Sequence, residues 1–213
     1  PKEDNRAGAG DLLDAVDVAL GEMVNDGSYD EIYSTWFSGD VVLTDDSTAE
    51  TATAYPAIDE DSTGALADVV NGGTLTFGSD YPYMPFEGTD EDGTTVIGFD
   101  ADIAAGICTK LSAAYDTTIT CELVLKGWDE LTAFQFDGYD AIISAMTKTD
   151  ERAQMTNFTS AYYTSKQGIL ASADSPTING VDDLNAVKPA PVEEEEDDSP
   201  SITILASALA IGL

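Results

Sequence analysis

One arginine stands where it could bind a carboxylate. Arg152 is one of only two arginines in a chain of 213 residues with a formal net charge of −33. It follows the apolar run 141–143 through a segment of small and hydroxyl-bearing residues, 144–149, a pattern typical of a strand that leads into a helix start. A guanidinium matches a carboxylate with two parallel hydrogen bonds, and the threonine hydroxyls and the N–H groups of a helix start add donors. The residues alone still favour a simpler alternative, an exposed arginine that pairs with one of the many carboxylates.

Other chemistry has little support in the chain. Histidine is absent, which removes the commonest general base and the commonest transition-metal ligand. No Gly-x-Ser-x-Gly motif is present. The segment 90–93, Asp-Glu-Asp-Gly, is reminiscent of a calcium loop but lacks the remaining ligands. We therefore predict no catalytic residue, no metal site and no cofactor.

The charge balance limits the partners. With 8 basic and 41 acidic residues, the chain has no basic patch to neutralise phosphates, which argues against nucleic-acid binding and against docking on anionic membrane surfaces. Such acidity favours solubility through self-repulsion and is compatible with a salty medium.

Two cysteines, Cys108 and Cys121, are too few for a zinc cluster. They fall on a predicted helix and on the strand after it, so the two side chains could meet. A disulfide in an extracellular protein and a pair of buried free thiols are both open, because geometry decides between them.

Strands and helices alternate through the middle of the chain. Hydrophobic periodicity predicts strands at 74–78, 95–97, 118–125, 141–144 and 162–171, and helices at 65–70, 100–114 and 129–136, with a helical turn at 150–155. This order implies an α/β fold with a mainly parallel, helix-covered sheet. Ligands of such sheets bind at the carboxyl ends of the strands. The loop 80–87, Trp128 and the segment 147–152 are expected to converge there.

Both ends of the chain differ from this pattern. Residues 11–26 predict an amphipathic helix, and Ser28 with Glu31 predicts a capping box for a second helix whose aromatic face packs in the core. An acidic linker that we expect to be disordered, 185–201, precedes the apolar residues 202–213, which are too few to span a bilayer. This arrangement predicts the start of a C-terminal membrane anchor that has been cut off. A short apolar terminus that packs on the domain is the alternative.

Six ordered motifs resemble the extracellular solute-binding proteins of family 3, which serve polar amino-acid ABC transporters. They are GSDYPYMPFE (78–87), GFDADIA (98–104), WDEL (128–131), YDAII (139–143), MTKTDER (146–152) and FTSAYY (158–163). The likeness covers about residues 64–184 and implies the first lobe of a periplasmic-binding-protein fold.

A second likeness precedes the first. The segments LLDAV (12–16) and DGSYDEIYSTWF (26–37) resemble the closing helices of the same family, which normally follow lobe two. Lobe two itself is absent after 181–184. The resemblance thus implies closing helices at 1–44, a linker at 45–63, lobe one at 64–184, the acidic linker and the anchor. A tandem array and a permuted single lobe both fit this order.

The resemblance also implies the site. Arg152 corresponds to the family arginine that binds the ligand α-carboxylate, and Thr147 and the backbone of Ala145 to neighbouring contacts. Tyr83 and Trp128 correspond to aromatic walls, for which core packing is the alternative. Asp80 corresponds to a polar contact with the ligand side chain, and a turn carboxylate is equally consistent with it.

The implied function is capture of a polar amino acid at the cell surface, without catalysis, for delivery to an ABC permease. The membrane would be involved only through the C-terminal anchor. A sensory ligand-binding domain and a dehydratase-like enzyme on the same scaffold are the alternatives.

Overall fold

The structure is a computed structural model that describes residues 9–41, 43, 53–165 and 183, and the backbone of 207–212. Apart from Asp183, these residues belong to one compact unit. Its helices are α1 (Ala9–Asp26), α2 (Ser28–Trp36), α3 (Ala65–Gly72), α4 (Phe99–Ala114) and α5 (Trp128–Thr132). Its strands are β1 (Thr74–Ser79), β2 (Gly88–Thr89), β3 (Val96–Ile97), β4 (Thr120–Leu125), β5 (Ala141–Ile142), β6 (Phe158–Ser165) and β7 (Ser207–Gly212).

Five strands form the main sheet, in the order β4-β1-β5-β7-β6. The strand β1 pairs in parallel with β4 and with β5, and Phe77 lies opposite both Leu123 and Ala141. The strand β7 runs antiparallel to β5 and to β6. The predicted α/β class with a mainly parallel sheet is therefore confirmed. The carboxyl ends of β1, β4 and β5 meet at one edge, where the loops that follow them come together.

The strand predicted at 95–97 lies outside this sheet. It forms β3, which pairs antiparallel with β2 in a separate two-stranded ribbon. The turn between them is closed by Asp90 and Asp92, whose carboxylates accept hydrogen bonds from the N–H groups of Thr94 and Thr95. The acidic segment 90–93 thus serves as a turn.

The two N-terminal helices pack on the sheet, as predicted. Leu12, Val16 and Met23 of α1 are buried in the same core as Phe77 of β1 and Ile107 of α4. The aromatic face of α2 joins this core through Tyr29, Tyr33, Trp36 and Phe37, and the Tyr29 hydroxyl donates to the carbonyl of Tyr162 on β6.

The predicted capping box is wrong. Gly27, with φ 85°, is the N-cap of α2, and the Asp26 carboxylate accepts a hydrogen bond from the Ser28 N–H at 3.0 Å. The Ser28 hydroxyl donates instead to the Asp26 carboxylate at 2.7 Å. The sharp turn between α1 and α2 requires a left-handed residue at the cap position, and this places Ser28 inside the helix.

The two cysteines form a disulfide that joins α4 to β4. Their Cα atoms lie 5.7 Å apart, and the bridge spans 13 positions of sequence. The structure thus selects the bonded alternative for Cys108 and Cys121.

The helix predicted at 129–136 is shorter than expected. The helix α5 ends at Thr132, and both Phe134 and Phe136 adopt positive φ angles of 51° and 50°. These conformations turn the chain so that the Phe134 ring is buried with Leu131 and Tyr139 in a second hydrophobic cluster. Tertiary burial thus overrides the local helical pattern.

The membrane anchor expected at 202–213 is not supported. Ser207–Gly212 form β7 within the sheet, in accord with the alternative of a terminus that packs on the domain. Among the described residues, no helix has the length and apolar character needed to cross a membrane.

The linker predicted at 45–63 is described only from Thr53. Its described part packs on the unit, because the Tyr55 ring contacts the Tyr115 ring and the Tyr115 hydroxyl donates to the carbonyl of Pro56. The remaining predictions for 44–52, for the end of the strand at 166–171 and for the acidic linker at 185–201 lie outside the described residues.

Candidate functional site

A cavity of about 400 Å³ opens at the carboxyl edge of the sheet. It is lined by residues from the loop after β1, from the start of α5 and from the segment after β5. All six residues singled out from the sequence line it, together with four others. The full set is Asp80, Tyr81, Pro82, Tyr83, Glu87, Trp128, Ser144, Ala145, Thr147 and Arg152.

Arg152 is held in place by two contacts. Its Nη1 donates to the Thr147 carbonyl at 2.9 Å, and its guanidinium carbon lies 5.3 Å from the ring centroid of Trp128, a cation–π arrangement. Within the described part of the chain, no carboxylate lies within 4.0 Å of the guanidinium, and the ion pairs found there are formed by Lys110 and Lys126. The geometry thus differs from that of an arginine paired with a surface carboxylate.

Two aromatic rings flank the opening of the cavity. Trp128 is 38% exposed and Tyr83 is 59% exposed, so both present ring surface to solvent. The Tyr83 ring stacks on Phe86 at 5.8 Å, with an angle of 12° between the planes. Neither ring is buried in the core, so the core-packing alternative does not describe them.

The floor of the cavity is the segment Ser144–Ala145. The Ser144 hydroxyl accepts a hydrogen bond from the Asp80 N–H at 3.0 Å and donates to the Glu87 carboxyl at 2.8 Å. Ala145 has a positive φ of 43°, and its N–H donates to the Asp100 carboxylate at 2.7 Å. The Ala145 N–H is therefore already engaged within the protein.

Two acidic side chains lie buried beneath this floor. Glu87 is 1% exposed and Asp100 is fully buried. Burial, reinforced by the charge of Asp100, raises the pKa of Glu87 to about 9. Burial also raises the pKa of Asp100 to about 7, although the donors Ala145 and Tyr162 act in the opposite direction. Burial therefore favours the protonated form of Glu87.

Sequence reasoning missed Glu87 and Ser144 as site residues. Both fall within or beside segments that carry the family likeness, yet neither has a periodic signal. The strand β2 after Glu87 has only two residues, too few to show alternation. Among 41 acidic residues, nothing in the sequence marks this one as buried.

A second cavity, of about 470 Å³, lies between α1 and β6. It contains none of the residues predicted for the site. Its lining includes Asp17, whose pKa is raised by burial, and Leu43 and Thr53, the described residues on either side of 44–52. We assign it no ligand.

Part of the chain is similar to known proteins. The family model of the bacterial extracellular solute-binding proteins, family 3, matches residues 75–210. The ABC transporter arginine-binding protein 1 of Escherichia coli is 31% identical over 102 residues, which are 47% of this chain and 39% of that protein. The glutamine-binding protein of Geobacillus stearothermophilus is 31% identical over 122 residues, which are 57% of this chain and 45% of that protein.

A solved structure is also similar to part of this chain. An ancestral cationic amino acid solute-binding protein is 33% identical, with a TM-score of 0.45, over 56% of this chain and 50% of that one. The chain spans less than half the length of the two curated relatives named above. Since the family model covers well over half of the 213 residues, this chain belongs to the bacterial extracellular solute-binding proteins, family 3.

Proposed function

We propose that this chain is the first lobe of a solute-binding protein that captures a polar amino acid for uptake by an ABC transporter. Arg152 and Thr147 would bind the α-carboxylate of the ligand, and Tyr83 and Trp128 would flank its side chain. The observation that carries the proposal is the cavity at the sheet edge, which is lined by two exposed aromatic rings and by an arginine without a carboxylate partner among the described residues.

The chemistry of the cavity favours a cationic amino acid. Asp80 lies at its edge, and Trp128 and Tyr83 offer ring faces that attract a cation. Three of the curated relatives support this choice by their names, as arginine-binding or lysine/arginine/ornithine-binding proteins. Glutamine, which the name of another relative gives as its ligand, is the first neutral candidate.

The isolated lobe should bind weakly. Two-lobed closure removes water from around the ligand and adds contacts from the second side, and this chain supplies one side of the cavity. We expect dissociation constants in the millimolar range for the chain alone, about −4 kcal/mol of binding free energy. A submicromolar value for the 213-residue chain would contradict this expectation.

We place the protein outside the cytoplasm, at the cell surface or in the periplasm. The disulfide between Cys108 and Cys121 is typical of oxidising compartments. Two relatives are named as a periplasmic and as an extracellular binding protein. An ABC permease would be the partner that receives the ligand.

A titration followed by NMR tests the proposal. L-Arginine, L-lysine, L-glutamine and L-glutamate are added to the ¹⁵N-labelled chain at up to tens of millimolar. We expect saturable shifts of the amides around Asp80, Trp128 and Thr147, with the cationic ligands binding best. An equal concentration of agmatine, which lacks the carboxylate of arginine, is the matched control. Shifts that never saturate, or that map to the other face of the sheet, would contradict the proposed site.

The alternatives share the cavity and differ in the fate of the ligand. A dehydratase-like enzyme would need a general acid or base; the chain has no histidine, so a carboxyl group such as Glu87 would have to fill this role. Incubation with a prephenate-like cyclic acid distinguishes the two cases: loss of the substrate would favour the enzyme, and its recovery intact would favour binding alone. A sensory domain would bind ligand in the same way but would be encoded without a neighbouring permease.

A further inference from the structure

The floor of the proposed ligand cavity rests on a buried polar network. Glu87 lies at the end of the loop after β1, Asp100 in the first turn of α4, and Ser144 and Ala145 just after β5. The Ser144 hydroxyl donates to Glu87 Oε1 at 2.8 Å, and the Ala145 N–H donates to Asp100 Oδ2 at 2.7 Å. The network therefore joins three separate segments at the site.

Each of these contacts fixes part of the cavity floor. Ser144 also accepts a hydrogen bond from the Asp80 N–H at 3.0 Å, so it links the loop after β1 to the segment after β5. Ala145 adopts a positive φ of 43°, a strained backbone for a residue with a side chain. The hydrogen bond from its N–H to Asp100 compensates for part of that strain.

Ionisation of both buried carboxyl groups, Glu87 and Asp100, is energetically unfavourable. Glu87 and Asp100 are buried together, with relative exposures of 1% and 0%. Glu87 Oε2 is buried and has no hydrogen-bond partner among the described residues, so no donor compensates a negative charge on it. The charge of Asp100 acts on Glu87, and two carboxyl groups buried in this way favour one shared proton.

The surroundings add few compensating charges. Asp80, from the loop after β1, acts on Glu87 as a further negative charge. The Tyr162 hydroxyl, from β6, donates to Asp100 Oδ1 at 2.9 Å. Arg152 lines the same cavity and is the cation on that side. No described lysine or arginine forms an ion pair with either buried carboxyl group.

We propose that Glu87 and Asp100 are positioning residues that share a proton and thereby hold Ser144 and Ala145 in place, so that amino-acid affinity depends on this proton. The inference rests on the proposed function, because Ser144 and Ala145 matter to affinity only if the cavity binds a ligand. Loss of the proton would put two adjacent anions under the floor, weaken the link through Ser144 and add negative charge close to the ligand carboxylate.

The direction of the pH effect follows from the protonation states. Because burial raises the pKa of Glu87 to about 9, the pair keeps a proton at pH 7 and 8 and loses it above that range. Asp100, whose pKa burial raises to about 7, loses its own proton near neutrality, so affinity is compared from pH 8 upward, where it should fall as the pH rises through about 9. The α-amino group of the ligand also titrates in this pH range. Wild type and variant are therefore compared with the same ligand at each pH.

Glu87→Gln is the informative variant, because its amide has nearly the shape of the protonated carboxyl group and carries no charge at any of the pH values tested. Glu122→Gln, which removes an exposed carboxylate of β4, is the matched control. L-Arginine affinity is measured by NMR titration of the full chain at pH 7, 8, 9 and 10. We expect the ratio of E87Q affinity to wild-type affinity to rise by about tenfold between pH 8 and 10, which is the effect of a ligand that shifts the pKa of the pair by about one unit. The ratio of E122Q affinity to wild-type affinity should stay constant.

Two measurements on the wild-type chain need no ligand and no variant. The side-chain ¹³C carboxyl resonance of Glu87 should titrate well above pH 7, and the Ala145 amide resonance should follow the same transition. A Glu87 carboxyl that titrates near its ordinary pKa, or an Ala145 amide that does not respond, would overturn the inference. So would an E87Q-to-wild-type ratio that is independent of pH. If no amino acid binds at any pH, the proposed function fails, while the two resonances still decide whether the pair holds a shared proton and positions Ala145.

Discussion

Arg152 depends on very few neighbours for its orientation. One hydrogen bond to the Thr147 carbonyl and one cation–π contact with Trp128 hold the guanidinium. An arginine fork keeps further N–H donors beyond the one given to Thr147, and these can bind a carboxylate from the cavity. Trp128 thus has two roles in the proposal, as a wall for the ligand and as a support for the arginine.

This arrangement makes Trp128 a reporter of binding. The chain has two tryptophans, and Trp36 lies on α2, where its Nε1 donates to the Asp102 carboxylate at 2.6 Å. In a Trp36→Phe variant, L-arginine should change the remaining fluorescence in a saturable way, because the Trp128 ring borders the cavity. The measurement is a fluorescence titration at pH 7.

The matched control is Trp128→Phe, whose remaining tryptophan is Trp36. Its fluorescence should not respond to the ligand. We also expect its affinity to fall by about two- to fivefold, since a cation–π contact at an exposed site contributes about 0.5–1 kcal/mol. A saturable response in W128F equal to that of W36F would contradict the position of Trp128 in the site.

The residues of the site could be predicted to different degrees. The six predicted residues belong to segments with strong local signals, and the structure brings them into one cavity. Glu87 and the engaged N–H of Ala145 could not be found, because their roles arise from burial between segments that are distant in sequence. A one-dimensional pattern does not record which of many acidic residues becomes buried.

At the scale of elements, the junction between the β2–β3 ribbon and α4 is the tightest point near the site. Gly98 has φ 134°, and a Cβ at this position would lie 2.1 Å from the Phe86 carbonyl oxygen. That close approach lets the first N–H groups of α4 be capped, since Phe99 and Asp100 donate to the carbonyls of Pro85 and Phe86. The position of Glu87 above Asp100 depends on this junction.

A glycine substitution tests the junction. Gly98→Ala should lower the free energy of unfolding by about 3 kcal/mol or more, because it combines an unfavourable φ with a clash against the backbone. Gly93→Ala is the control: its φ is also positive, at 75°, but a Cβ there would meet nothing within 4 Å. The control should lose about 1 kcal/mol. Urea unfolding measures both, and equal losses would show that the contact with Phe86 contributes nothing.

The elements differ in how well sequence patterns predict them. The helices α1 and α4 are long enough to repeat their apolar residues several times, so their existence was predictable. The two-residue strand β2 offers too few positions for a periodic signal, whereas β5 was predicted from its apolar run and α5 was predicted at too great a length. The end of α5 depends on Phe134 and Phe136, whose positive φ angles are unfavourable but allow their rings to pack against the protein.

At the scale of the whole molecule, the large negative net charge is the main feature expected to affect stability. The formal net charge of −33 implies strong repulsion among carboxylates on the surface. Screening shortens the range of this repulsion from about 10 Å at 0.1 M salt to about 3 Å at 1 M. The repulsion opposes the compact state, so salt should stabilise the fold.

Thermal unfolding, followed by circular dichroism in 0.1 M and 1 M NaCl at pH 7.5, tests this expectation. We predict a rise in Tm of about 4–8 °C, which corresponds to about 2 kcal/mol for a domain of this size. The same pair of salt concentrations at pH 4 should give a smaller rise, because many carboxylates are then neutral. A Tm that is independent of salt at pH 7.5 would show that surface repulsion is unimportant for stability.

The order of segments along the chain also belongs to this scale. The N-terminal helices α1 and α2 cover the sheet of the lobe that follows them, and β7 inserts between β5 and β6. The packing of the helices was predictable from their amphipathic pattern. The place of β7 was not, because an apolar run of twelve residues is compatible with a strand or with part of a membrane segment. The tandem and permuted arrangements both remain predictions.

The pairing of Arg152 with a ligand carboxylate can be measured directly by a double-mutant cycle in which one change is made on the ligand. Wild-type chain and Arg152→Ala are each titrated with L-arginine and with L-arginine methyl ester, and Lys110→Ala serves as a variant that loses a cation on α4 instead. If Arg152 holds the carboxylate, R152A should weaken binding of L-arginine by about tenfold or more, but should change binding of the ester little. K110A should bind both ligands as the wild type does. An equal loss for L-arginine and its ester in R152A, or no loss for either, would contradict the assignment of the carboxylate to Arg152.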